Sequence, residues 1–258
     1  MKKLIMPKAR LERRRGISLL PNLLTTCGLY AGFYSIISSV NGNFFHAAVA
    51  IVISGVFDGL DGRIARITRT TSLFGIEYDS LSDLVAFGVA PAVLVYLWAL
   101  QPFGRLGWVI GFLFLACGAL RLARFNANVS DQDPKYFQGL SIPAGAGMIA
   151  ATVFLFDYLN LEGSIKQWAV LITVIILSFL MVSNLKYISL KGELVKKKPF
   201  NSLVVTILML AMISVQPQVT LYVIGLVYII SGPVLTVLLP KPLPDEDEAE
   251  LETPAVKL

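Results

Sequence analysis

Eight apolar runs of close to membrane-spanning length recur along this chain, at about residues 18 to 39, 44 to 64, 80 to 100, 106 to 125, 141 to 159, 167 to 185, 201 to 215 and 219 to 239. A hydrocarbon core about 30 Å thick needs roughly 20 apolar residues in a helix, and backbone in lipid must satisfy its own hydrogen bonds. The pattern predicts an all-α, polytopic transmembrane bundle of about eight spans. Six is the floor, because the seventh run is short and the eighth contains Gly232-Pro233. With 55% hydrophobic and 15% charged residues and a mean hydropathy of +0.70, the 258 residues leave no room for a separate soluble domain.

Lysine and arginine orient such a bundle, because short cytoplasmic loops carry the excess. With the N-terminus inside, 20 of the 22 basic residues fall on the cytoplasmic side and only Arg105 and Lys166 fall outside. The expected organisation is a basic cytoplasmic segment (1–17), a transmembrane core (18–185), a basic cytoplasmic loop with two further spans (186–239), and an acidic, disordered tail (240–258). The first run is too long for a secretory signal and lacks a small-residue cleavage site, so it reads as a retained helix in the cytoplasmic membrane.

The net charge of +5 does not point to nucleic acid, since the basic residues abut the spans and no aromatic-basic recognition motif accompanies them. Arg13-Arg14-Arg15 and Lys196-Lys197-Lys198 are candidate contacts for anionic lipid headgroups, at about 1 kcal/mol per residue. Cys27 and Cys117 have no metal-ligand spacing and read as packing residues. His46 stands alone and takes no role.

Against this greasy background four carboxylates stand out: Asp58 and Asp61 in Asp58-Gly59-Leu60-Asp61-Gly62-Arg63-Ile64-Ala65-Arg66, then Asp79 and Asp83 after Gly75. Offsets of three and four put side chains on one helix face. An aspartate at the bilayer centre costs roughly 2.5 to 3.5 kcal/mol, so the four must face inward near a wet interface, at the cytoplasmic ends of spans two and three. Two unit charges about 4 Å apart at an effective dielectric near 20 repel by roughly 4 kcal/mol. Hard divalent cations with oxygen ligands relieve that repulsion. The glycines let a ligand or backbone approach closely; Gly28 with Gly32 and Gly55 with Gly59 give small residues four apart that suit tight helix packing.

Two aspartates followed by Gly-x-x-Ala-Arg, eight residues, then glycine, aspartate and aspartate at four-residue steps is a pattern that resembles the CDP-alcohol phosphotransferase family, and every fixed position from Asp58 to Asp83 is present. The resemblance implies a helical membrane enzyme that moves a phosphatidyl-type group from a CDP-linked donor to an alcohol with release of CMP. It implies Mg2+ or Mn2+, two ions, held by Asp58, Asp61, Asp79 and Asp83, with Asp83 also the base for the attacking hydroxyl. It implies that Gly62, Ala65, Arg66 and Gly75 receive the CDP moiety, that Asn22 and Thr25 meet the cytidine, and that the protein is a homodimer.

The acceptor must be read from outside that motif. Phe87-Gly88-Val89-Ala90-Pro91-Ala92, Arg121-Leu122-Ala123-Arg124-Phe125-Asn126 and Gly139-Leu140-Ser141-Ile142-Pro143-Ala144 resemble bacterial and archaeal members that use serine; the third departs from the commoner Gly-Leu-Pro-Ser-Pro form. That implies CDP-diacylglycerol as donor and L-serine as acceptor, with glycerol 3-phosphate the alternative. Arg121 and Arg124, three apart at a helix end, can face the cavity of the aspartates. A guanidinium can bind a carboxylate bidentately, so Arg121, Arg124 and Asn126, with Asn128 beyond, are candidates for holding serine or a phosphate; the alternative is that the arginines only anchor the helix at the interface. An ion-coupled transporter would also bury acidic groups, but these lie at one membrane face without matching broken helices in two halves.

Overall fold

The computed structural model describes residues 8–68, 72–127, 136–188, 207, 212 and 214–238. Along them run α1 (Lys8–Val40), α2 (Phe44–Thr68), α3 (Leu73–Asp83), α4 (Ala90–Val95), α5 (Arg105–Ala127), α6 (Ile142–Tyr158), α7 (Ser164–Val182) and α8 (Pro217–Leu238). π-helical stretches at Leu84–Val89 and Tyr96–Leu100 flank α4, so Leu73–Phe103 forms one candidate span of 31 residues. Among the described residues the bundle is all-α apart from an antiparallel ribbon of β1 (Tyr136–Gln138) and β2 (Lys186–Ile188), which the hydrophobic pattern does not announce because three residues carry no period.

Among the described residues six helices are long and apolar enough to cross a membrane, and α6, with 17 residues, is a shorter apolar one. Seven of the eight expected runs coincide with helices. Most of 201–215 lies outside the described residues, so a count of eight is not established. Lys196 to Lys198, Asn128 and the tail from 239 also fall outside them. α1 starts at Lys8, about ten residues before its apolar run.

α6, shorter than any of those six spans, is also the most enclosed. α6 packs against α2, α7 and α8, and Ala146, Ile149, Ala150 and Val153 are buried. A helix enclosed by protein need not match the bilayer's thickness, and its small residues let neighbours approach. Tyr30, Phe112 and Phe179, by contrast, stand more than half exposed on outer helix faces, as lipid-facing side chains do.

Near the aspartates, α1 is held close to its neighbours. Ser54 Oγ donates to the Gly28 carbonyl at 2.9 Å, and a Cβ on Gly32 would fall 2.7 Å from the Ala86 Cα. The Gly28 and Gly32 pair thus seats α2 and the α3–α4 span of the same chain. Gly59 has open space beside it. Pro21 interrupts α1 by offering no N–H; the Thr25 and Thr26 hydroxyls turn back to the carbonyls of Pro21 and Asn22, at 3.1 and 2.7 Å.

Candidate active site

α2 and α3 deliver the carboxylates. Asp58 and Asp61 lie one turn apart near the end of α2, and α3 opens on Ser72, an extended N-cap residue whose hydroxyl accepts from the Gly75 N–H at 3.0 Å. That cap fixes the first turn from which Asp79 projects. One carboxylate oxygen from each of Asp58, Asp61 and Asp79 lies within 4.8 Å of the others. Asp83 stands one turn further, outside that trio but within electrostatic range of all three and of Arg121.

The trio fits a hard divalent ion by the chemistry of its donors, which are all carboxylate oxygens. Neighbouring hydroxyls brace the buried ligand. Thr25 Oγ1 donates to Asp61 Oδ2 at 2.8 Å, and its own carbonyl accepts from Ser82 Oγ at 3.2 Å. Hydrogen-bonded carboxylates of this kind keep a metal ligand in one orientation. Asp61 is buried while Asp58 and Asp79 are half-buried.

Beside the trio is a cleft of about 150 Å³. All six residues expected around the CDP moiety line it: Asn22, Thr25, Gly62, Ala65, Arg66 and Gly75, together with Asp61 and Asp79. One of the glycines has a spatial reason. A Cβ on Gly75 would come within 3.3 Å of Asn22 Oδ1, whereas one on Gly62 would make only ordinary contact, 3.6 Å from Arg66 Nη1. Pro21, Ser72 and Ile76 complete the wall; for Ser72 and Ile76 the available sequence signal was a serine directly before Leu73-Phe74-Gly75, a helix cap.

α5 brings Arg121, Arg124 and Asn126 to the same end, but gives them different surroundings. Arg121 is 7% exposed, its guanidinium lies 5.2 Å from the Phe125 ring, and its Nε is buried with no hydrogen-bond partner. Arg124 is committed elsewhere. Its Nη1 donates to Val182 O and Asn184 Oδ1 at 3.1 Å, and its Nη2 reaches Gln138 O, Met181 O and Ser183 O at 3.2 to 3.4 Å. It caps α7 and ties that helix to β1. Gly139 follows from this clamp: its φ is +73°, and a Cβ there would meet Arg124 Nη2 at 2.8 Å. Asn126 Nδ2 donates to Ser80 Oγ at 2.9 Å, linking α5 to α3 next to Asp79.

One further residue near the site had no sequence signal beyond being an aromatic in an apolar run. Tyr228 of α8 lies against the Ser141 side chain and within electrostatic range of Arg121, with its ring 5.5 Å from that of Tyr187. Tyr187, on β2, is fully buried, and burial first and Tyr228 second push its phenol up to about 12.

A family model described as CDP-alcohol phosphatidyltransferase matches residues 18–180. A CDP-diacylglycerol–serine O-phosphatidyltransferase of Helicobacter pylori is 40% identical over 215 residues, covering 83% of this chain and 89% of that protein. An archaetidylserine synthase of Methanothermobacter thermautotrophicus is 37% identical over 175 residues, 67% of this chain and 71% of its own length. A CDP-diacylglycerol–serine O-phosphatidyltransferase of Methanocaldococcus jannaschii is 38% identical over 166 residues, 64% of this chain and 74% of its own.

Proposed function

This chain belongs to the CDP-alcohol phosphatidyltransferase family, and from that premise we propose that it transfers phosphatidyl from CDP-diacylglycerol to the hydroxyl of L-serine, giving phosphatidylserine and CMP. The observation that carries the reading is that Asp61 and Asp79 belong at once to the carboxylate trio and to the wall of the cleft formed by Asn22, Thr25, Gly62, Ala65, Arg66 and Gly75. A nucleotide diphosphate bound in that cleft lies against the acids.

Asp58, Asp61 and Asp79 would hold Mg2+ or Mn2+, two ions on the family's pattern, supplying positive charge to the donor diphosphate as its bond to CMP breaks. Arg66 meets phosphate oxygens as a charge-assisted donor, and the small residues Gly62, Ala65 and Gly75 leave room for the nucleotide. Asp83 accepts the proton of the serine hydroxyl while that oxygen attacks the phosphorus bearing diacylglycerol. The new O–P bond forms as the P–O bond to CMP breaks, without a covalent enzyme intermediate. Arg121, a buried cation beside Asp83, takes the serine carboxylate. Arg124 and Asn126 hold the walls: the hydrogen bonds of one bind α5 to α7 and β1, those of the other bind α5 to α3.

The protein is a multi-pass membrane protein. In this reading its active site and N-terminus face the cytoplasm across the cytoplasmic membrane, where 20 of 22 basic residues would lie, and it works as a homodimer. The test supplies purified protein with CDP-diacylglycerol, Mg2+ or Mn2+, and either serine or glycerol 3-phosphate. Release of CMP with serine is expected. Release with glycerol 3-phosphate and none with serine contradicts the assignment.

A further inference from the structure

α8 lies wholly beyond residue 180, where the family match ends, so the transfer chemistry common to the family does not depend on it. It is nevertheless docked firmly beside the site. The Lys186 N–H donates to Thr236 Oγ1 at 2.8 Å and the Tyr187 hydroxyl to the Ile229 carbonyl at 3.3 Å. The Tyr187 ring fills the notch left by Gly232, where any Cβ would collide with it. This docking carries Tyr228, one turn before Gly232, to Ser141 and to the neighbourhood of Arg121.

Arg121 needs such a neighbour. Its guanidinium is buried, one face is covered by the Phe125 ring, and its Nε has no partner. Asp83 lies within electrostatic range, but a buried donor without an acceptor is costly, and the open Nε points to an anion delivered with substrate. Tyr228 belongs to that side alone. It lines none of the cleft that holds the CDP-contacting residues, and instead borders an apolar cavity of about 330 Å³ with Phe87, Pro143 and Ala144. Those three come from two of the three sequence stretches that lie outside the acidic motif.

We infer that the C-terminal helix is part of the acceptor site, with Tyr228 a positioning residue that, together with Ser141, sets the Arg121 guanidinium for the carboxylate of an amino-acid acceptor. The inference rests on the proposed acceptor. Phosphatidyl transfer itself needs only the residues of α1 to α3, while recognition of the amino acid is completed by a helix attached outside the family region.

The test uses the full chain in lipid vesicles, measuring KM and kcat for serine and for CDP-diacylglycerol in wild type, Tyr228→Phe and Ser141→Ala. Loss of one hydrogen bond beside a charged group predicts a serine KM raised about tenfold in Tyr228→Phe, with the CDP-diacylglycerol KM unchanged. Ser141→Ala should raise the serine KM as well, and the double variant should add little to Tyr228→Phe, because the two side chains act as one unit. An unchanged serine KM in Tyr228→Phe, or equal rises for serine and donor, overturns the inference. Failure of the wild type to use serine overturns the assigned acceptor first, so the two failures are distinguishable.

Discussion

The proposed donor side of the site takes its residues from consecutive helices: Asn22 and Thr25 from α1, Asp58 to Arg66 from α2, Gly75 and Asp79 from α3. Most lie three or four residues from the next, so helix geometry alone aligns them. The proposed acceptor side is assembled from far apart in the sequence, with Arg121 on α5, Ser141 ahead of α6, and Tyr228 on α8. Its alignment depends on long-range clamps, of which the Arg124 fan onto the α7 terminus is the largest. The contrast implies that changes on the donor side strike chemistry directly, whereas changes on the acceptor side act through docking.

Asp58→Asn should break the donor side most severely. A metal ligand lost from the trio removes several kcal/mol of charge stabilisation, and turnover should fall at least ~100-fold at saturating Mg2+. CMP release across a metal titration measures it, and ordinary activity at ordinary metal would remove Asp58 from the site.

Arg124→Ala is the corresponding probe of the clamp. Four backbone carbonyls, those of Gln138, Met181, Val182 and Ser183, lose their guanidinium partner, at a cost of about 1 to 3 kcal/mol in stability. The thermal midpoint in detergent should drop while the serine KM in the surviving protein stays near wild type. A raised serine KM with an unchanged midpoint would instead move Arg124 into contact with the acceptor.

Thr25→Val keeps the shape but removes the donor to Asp61. Outer-shell losses of this type cost about 10-fold or more in metal affinity, so the Mg2+ needed for half-maximal CMP release should rise by about that factor. No change would mean that the Thr25 hydroxyl serves only its own helix, through the Pro21 carbonyl.

The mildest change is Tyr187→Phe, which removes the hydroxyl donated to the Ile229 carbonyl of α8 at 3.3 Å. Loss of that hydrogen bond, about 1 kcal/mol, should loosen α8 and raise the serine KM roughly fivefold, leaving the donor KM as it was. Equal effects on both would show that α8 steadies the whole bundle and not the acceptor side.

The same contrast explains what the sequence disclosed. Asp58, Asp61 and Asp79 meet because a period of 3.6 brings nearby residues to one face, and the residues expected around the nucleotide all line the cleft. Arg124 reads as a substrate contact because it stands one turn from Arg121; the structure adds hydrogen bonds to four main-chain carbonyls 14 to 59 residues away and to the Asn184 side chain, partners that local spacing does not announce. Tyr228 is an aromatic among aliphatics and carries no local mark of its position. α6 reads as a membrane span by composition, yet its burial is set by the helices around it. The π-helical turn at Leu84–Val89 likewise follows from packing: Gly88 there sits against Leu115 and Ile142.

The most direct measurement reconstitutes the protein in vesicles with CDP-diacylglycerol and labelled L-serine, and counts lipid-extractable label and CMP together. One CMP per serine incorporated is predicted in the presence of Mg2+ or Mn2+, and neither product after chelation. Label that stays in the aqueous phase while glycerol 3-phosphate becomes lipid-bound would contradict the account.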